Sequence, residues 1–192
     1  IREALRLLET HYQSPVDTEF TVELLDMHSQ HPEVRITLLQ CRPQSHIQDA
    51  DQAAMSRDLA PEDIVFLTQR MVPQGAIRGI RYVLFVTSEG YFSLSTQAER
   101  THLERTISEL NQALKDETFI AVGPGRWGTS TPDLGVHVAY GDIFNARALV
   151  ELSGEAIGAS PEPSFGTHFF QDLIEAHIFP LAVFIDDKDA VF

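Results

Sequence analysis

Four polar residues have the types and spacing for chemistry. Asp17 and Glu19 are two residues apart, and so are Gln40 and Arg42. On an extended backbone that spacing puts both members of a pair on one face. If the two segments pair as a hairpin, two carboxylates, an amide and a guanidinium share a surface. Such a surface suits a nucleotide triphosphate. Hard divalent cations take carboxylate oxygens, and phosphate oxygens complete their shell. A guanidinium forks onto phosphate, and an amide bonds phosphate or ribose. On this reading Asp17 and Glu19 are metal ligands, while Gln40 and Arg42 hold the nucleotide. The plainer alternative is a solvated hairpin face ending in Arg42-Pro43.

A second group lies at Gly123-Pro124-Gly125-Arg126-Trp127-Gly128, which spells G-x-G-x-x-G after an apolar run. A dinucleotide fold needs a helix to start there, and Thr131-Pro132-Asp133 with Gly135 denies one. A nicotinamide role is therefore rejected. Gly123, Gly125, Arg126 and Gly128 remain a candidate anion loop, because glycines let backbone N–H groups approach an oxyanion and Arg126 adds charge. Against it stands a structural turn in which Trp127 plugs the core and Arg126 meets an acid. His28 and His31 fall in a turn with no second ligand pair, so no zinc motif forms. Neither a Gly-x-Ser-x-Gly elbow nor a Walker-type loop is present.

The elements that must position these groups follow from periodicity. Leu5, Leu8 and Tyr12, with Leu7 beside them, predict an amphipathic helix over 1–12, stopped by Ser14-Pro15. Val16, Thr18, Phe20, Val22 and Leu24 then alternate with Asp17, Glu19, Thr21 and Glu23. A turn containing His28, His31 and Pro32 leads to a partner strand from Val34 to Arg42. Strands are expected at Ile64–Gln69 and Ile77–Val86, joined around Pro73-Gln74-Gly75. Gln97 to Lys115 reads as a helix with Leu103, Ile107, Leu110 and Leu114 on one stripe. Further strands are expected at Thr118–Val122, near Val136–Tyr140, at Ala148–Leu152 and at Ile178–Ile185, with a helix at Phe169–Ala176. The class is α+β or mixed α/β. Residues 1–48 form one domain, 49–62 a linker, and 63–192 a mixed α/β domain.

Composition limits the function classes. The chain has 192 residues, 43% of them hydrophobic, with no apolar run near the roughly 20 that a membrane helix needs. A formal charge of −14 argues against nucleic acid or an anionic membrane as partner. Cys41 is the single cysteine, so no internal disulfide forms and a reducing cytoplasm is the simplest setting. Ile1-Arg2-Glu3-Ala4-Leu5 reads as the middle of a helix, so the chain is expected to start inside a longer protein.

The exact residues carry a family resemblance. His11-Tyr12-Gln13-Ser14-Pro15-Val16-Asp17-Thr18-Glu19-Phe20, followed by Leu38-Leu39-Gln40-Cys41-Arg42-Pro43, resembles the end of the ATP-grasp domain in the phosphoenolpyruvate synthase and pyruvate phosphate dikinase family. Ser14 stands where that family has Gly, and Thr18 where it has Ile. The resemblance implies that Asp17 and Glu19 contact Mg²⁺ and nucleotide and that Gln40 and Arg42 line the same ATP site. For the full protein it implies phosphate transfer from ATP to a carrier histidine, with pyruvate or phosphoenolpyruvate as candidate partner and a homo-oligomer as a candidate assembly. Ser164-Phe165-Gly166-Thr167-His168 is similar to the family's phosphocarrier segment, which makes His168 a candidate catalytic residue beside a capping role. The loop from Gly123, with Asp133-Leu134-Gly135-Val136, resembles the C-terminal extension of synthase-like proteins. The family's swivelling phosphohistidine domain and pyruvate-binding barrel are not in this sequence, so the segment alone is expected to be inactive. The alternative is a non-catalytic ligand-sensing or assembly domain fused to a degenerate ATP-grasp remnant.

Overall fold

The computed structural model describes residues 1–13, 16–26, 32–43, 59–68, 75–157, 163–164, 167–188 and 190–191. His28, His31, the Pro73-Gln74 turn, Gly166 and residues 49–58 of the expected linker lie outside them. The chain divides into two compact units, Ile1–His46 and Ile47–Phe192.

In the first unit, helix α1 (Arg2–Tyr12) ends where Gln13 takes a left-handed conformation at φ 54°. Strand β1 (Val16–Leu25) then pairs antiparallel with β2 (Glu33–Pro43). None of the described residues of this unit is buried. One face of the hairpin carries Phe20, Val22, Leu24, Val34, Ile36 and Leu38, each between 42% and 54% exposed.

The second unit is built on a four-stranded parallel sheet in the order β3-β4-β5-β6. These strands are β3 (Tyr82–Phe85), β4 (Phe119–Pro124), β5 (Ala148–Ser153) and β6 (Phe179–Phe184). Every residue of β4 and β5 is buried, as expected of central strands covered on both faces. Helices α2 (Ser88–Ser93) and α3 (Gln97–Ala113) lie between β3 and β4, and α4 (His168–Glu175) precedes β6. Thr96 opens α3 with a capping box: its hydroxyl accepts from Glu99 N at 3.3 Å, and Glu99 Oε2 accepts from Thr96 N at 2.9 Å. Those bonds, the Thr96 backbone first, hold the Glu99 carboxyl below its ordinary value.

Parallel neighbours joined in sequence order have crossovers of one hand, which puts their helices on one face. Accordingly Ile107 of α3 and Phe170 and Leu173 of α4 share one core with Leu84, Phe119, Ala121 and Leu149. The opposite face buries Ile120, Val122, Val150, Leu152 and Val183 beneath Phe66, Ile77 and Ile157. Helices together with one antiparallel and one parallel sheet give the α+β or mixed α/β class read from the sequence.

Three expected elements differ. Within Ile64–Gln69 only Leu67 bridges, to Val191, and the described backbone forms no ladder. Ile77–Val86 shortens to Tyr82–Phe85. Val136–Tyr140 is not a strand: Val136 and Val138 are buried, but from irregular backbone that ends in a 3₁₀ turn at Tyr140–Asp142. The α3 stripe is also corrected, since Leu110 is 42% exposed while Asn111 is fully buried. Asn111 Oδ1 accepts from Asn145 N at 2.9 Å, and its carbonyl accepts from Asn145 Nδ2 at 3.1 Å. No helix among the described residues is long and apolar enough to cross a membrane.

Candidate functional site

The hairpin register decides which polar residues meet. Asp17 stands opposite Arg42 and Glu19 opposite Gln40. Directly opposed residues of an antiparallel pair share a face, so all four positions lie on one side of the hairpin. Beyond Glu19 the register shifts: Phe20 pairs with Leu38, then Val22 with Ile36 and Leu24 with Val34. Leu39 is thus an extra residue on β2, a β-bulge.

The bulge decides which face the two pairs share. In a regular strand Val34, Ile36, Leu38, Gln40 and Arg42 would all project to one side. The added residue reverses the phase, sending Gln40 and Arg42 to the acidic face of β1 while Val34, Ile36 and Leu38 stay with its apolar face. Sequence reasoning missed this device. Its signal was the doubled Leu38-Leu39, where apolar even positions give way to polar even positions.

Glu19 is exposed, and Gln40 and Arg42 are half-buried. With its amide oxygen toward Arg42, Gln40 accepts from Arg42 Nε and, at 2.8 Å, from a terminal guanidinium nitrogen. In that orientation the amide oxygen meets two of the guanidinium's donors. Further along the same face Arg35 and Glu23 pair at 3.4 Å. Among the described residues no group of three or more His, Cys, Asp or Glu side chains gathers for a metal. A cation on this hairpin would need oxygens from its ligand as well as from the two acids.

The Gly123–Gly128 segment folds differently from a phosphate loop. Gly125 N donates to Leu152 O at 2.7 Å, Arg126 N to Leu134 O at 2.8 Å, and Trp127 N to Glu151 Oε1 at 2.7 Å. Three successive amides are occupied by protein acceptors. No Rossmann helix follows, only a 3₁₀ turn at Pro132–Leu134. Trp127 is 1% exposed, a core plug as the sequence suggested, and Gly128 approaches so close to Phe169 that a Cβ would lie 2.6 Å from its ring. Arg126 is half-buried. His168 is exposed at the first residue of α4, after Thr167 caps the helix by accepting from Phe170 N at 3.4 Å.

Glu151 escaped sequence reasoning, although a lone acid inside Ala148-Leu149-Val150-Glu151-Leu152 was the available signal. It is 1% exposed. Its Oε1 accepts from Trp127 N and, at 2.6 Å, from Ser164 Oγ, while Oε2 accepts from Ser164 N at 2.7 Å. Burial pushes the carboxyl up to about 7, against the opposing pull of the Ser164 and Trp127 bonds and the Arg126 charge. This carboxyl ties β5 to the loop after β4 and to the segment before α4.

No curated protein and no solved structure matches the chain. Residues 1–63 match the family model described as pyruvate phosphate dikinase, AMP/ATP-binding domain, and span α1, both hairpin strands and the bulge between their two polar pairs. Over this first third the chain is similar to the AMP/ATP-binding domain of pyruvate phosphate dikinase.

Proposed function

We propose that Asp17, Glu19, Gln40 and Arg42 form one rim of an ATP site in an ATP-dependent phosphotransferase. The observation that carries this reading is the register across the Leu39 bulge, which gathers two acids, an amide and a guanidinium on one face. The family match over residues 1–63 supports the nucleotide as ligand. Arg42, steadied by Gln40, supplies a fork for phosphate oxygens. Asp17 and Glu19 hold Mg²⁺ jointly with those oxygens, which neutralises charge on the transferring group. In the full protein the phosphate passes to a carrier histidine and then to pyruvate. Residues 1–48 belong to the nucleotide domain and 63–192 to a separate one, joined through 49–62.

A second reading treats the hairpin as a remnant beside a non-catalytic sensing or assembly domain. It is favoured by the self-contained parallel sheet of the second unit, which has a core on each face.

Calorimetric titration with MgATP separates the two. The four residues supply one rim, and the anionic MgATP complex meets a chain of formal charge −14. This chain alone is expected to bind with a Kd in the millimolar range or weaker, about −4 kcal/mol. The full-length protein is expected to bind far more tightly and to lose that affinity in Glu19→Ala and Arg42→Ala. Unchanged binding in both variants would remove the hairpin from the site.

A further inference from the structure

Arg100 lies near the start of α3, half-buried in a cleft of about 110 Å³ that it shares with Tyr91, Gln97, Glu104, Ser130 and His137. Its Nε is buried without a hydrogen-bond partner. One terminal nitrogen donates to Leu94 O at 3.1 Å. Among the described residues no carboxylate comes within ion-pair distance of this guanidinium. A partly desolvated cation left without an anion is costly, and structures ordinarily avoid it.

The neighbouring groups do not supply that anion. Glu104, one turn further along α3, faces His137 Nε2 at 4.0 Å. His137 is oriented by its Nδ1, which donates to Thr129 O at 2.6 Å. The Tyr91 hydroxyl reaches Pro132 O at 2.8 Å and also Gly135 O, so it is spent on the wall of the cleft. At the start of α3 the capping box takes up the amides of Thr96 and Glu99. What Arg100 offers a ligand in the cleft is the edge of its guanidinium beyond the buried Nε and the nitrogen bonded to Leu94, with Gln97 and Ser130 beside it as neutral hydrogen-bonding groups.

We propose that this cleft binds a small carboxylate anion, anchored by Arg100. The space is well below the 300 Å³ or more of a pocket for a drug-sized ligand, so a nucleotide does not fit and a few heavy atoms do. A carboxylate oxygen accepts a charge-assisted bond from the guanidinium edge that lines the cleft. Glu104 in the same cleft repels a phosphate dianion more than a singly charged carboxylate. The site belongs to the second unit and does not depend on the nucleotide reading of the hairpin.

The test is an NMR titration of the ¹⁵N-labelled chain with acetate and, separately, with inorganic phosphate, at fixed ionic strength and pH. Acetate is expected to give saturable shifts at Gln97, Arg100 and His137, and to bind more tightly than phosphate. Arg100→Gln is expected to weaken acetate binding by about tenfold or more, and Glu104→Gln to tighten it by about threefold, from the loss and gain of local positive potential. Absence of saturation, tighter binding of phosphate, or unchanged acetate affinity in Arg100→Gln would overturn the proposal. If Arg100→Gln does not fold, Glu104→Gln decides alone: tightening supports the site, and no change or weakening overturns it.

Discussion

On the hairpin, Glu23 faces Arg35 across 3.4 Å with both side chains 58% exposed; in the parallel sheet, Glu151 is 1% exposed and holds three donors from two other segments. Both are strand glutamates with partners, yet their consequences differ. Water screens the first pair and can replace either partner at little cost. Nothing can replace the second, because the donors it satisfies have no solvent to turn to. The hairpin therefore keeps its charged groups available to a ligand, and the sheet unit spends its buried acid on architecture. Chemistry is to be sought where the charges are half-exposed and stability where they are sealed.

The largest expected effect comes from Glu151→Leu. The substitution strands the backbone N–H groups of Trp127 and Ser164, at roughly 1–3 kcal/mol each, so a loss of about 4 kcal/mol is expected in chemical denaturation of the sheet unit. A loss below about 1 kcal/mol would mean that the clamp contributes nothing and the comparison fails. The pH dependence sharpens the same point. With the folded carboxyl raised to about 7 and an ordinary value of 4.5, the folded state binds the extra proton. Its contribution is fully present below pH 4.5 and is lost as pH rises through about 7, on the order of 3 kcal/mol in all. Wild type and Glu151→Gln are expected to differ in slope across that window, and parallel curves would refute the assignment.

Next in size is deletion of Leu39. Removing the bulge restores a regular β2, which carries either Gln40 and Arg42 to the apolar face or Val34, Ile36 and Leu38 to the polar one. In the full-length protein, MgATP affinity is expected to fall by about 2–3 kcal/mol, the scale of one or two charged hydrogen bonds. Thermal unfolding of the sheet unit is expected to stay where it was. Retained affinity would show that the face-switching register is not what builds the site.

These two positions also mark how far the sequence could be read. Alternation from Val16 to Leu24 and the runs at Phe119 and Ala148 predicted β1, β4 and β5: the pleat separates apolar from polar residues in β1, and burial on both faces makes β4 and β5 apolar runs. The same pattern misled at Ile64–Gln69 and Val136–Tyr140. There Phe66, Val136 and Val138 do turn into cores, but alternation reports only where side chains go. Whether the backbone finds a ladder partner depends on sheet order, which is a property of distant segments. The pairing of the four candidate positions was legible from their spacing of two. The bulge that unites them was not, since a single inserted residue leaves each pair's own spacing intact. Glu151 was visible only as an exception to an apolar run, and its donors come from 24 residues before it and 13 after it.

The smallest effect is expected at Glu23→Gln, and it tests the comparison from its other end. The pair with Arg35 joins β1 to β2 beyond the bulge, in the register that places Glu23 opposite Arg35. With both side chains 58% exposed, Coulomb attraction is weakened by water and offset by the entropy of fixing two long side chains. Removing the charge while keeping the shape should therefore cost no more than about 0.5 kcal/mol, and less at high salt as the Debye length shrinks. MgATP affinity of the full-length protein should also stay within about twofold, because Glu23 lies past the bulge from the Asp17–Arg42 and Glu19–Gln40 pairs. The measurement is denaturation of the hairpin-containing protein at low and high salt, with MgATP titration beside it. A salt-insensitive loss above about 1 kcal/mol would mean that Glu23 is shielded from solvent in the protein. The contrast with Glu151 would then be one of degree, and the acidic face of the hairpin would be partly structural.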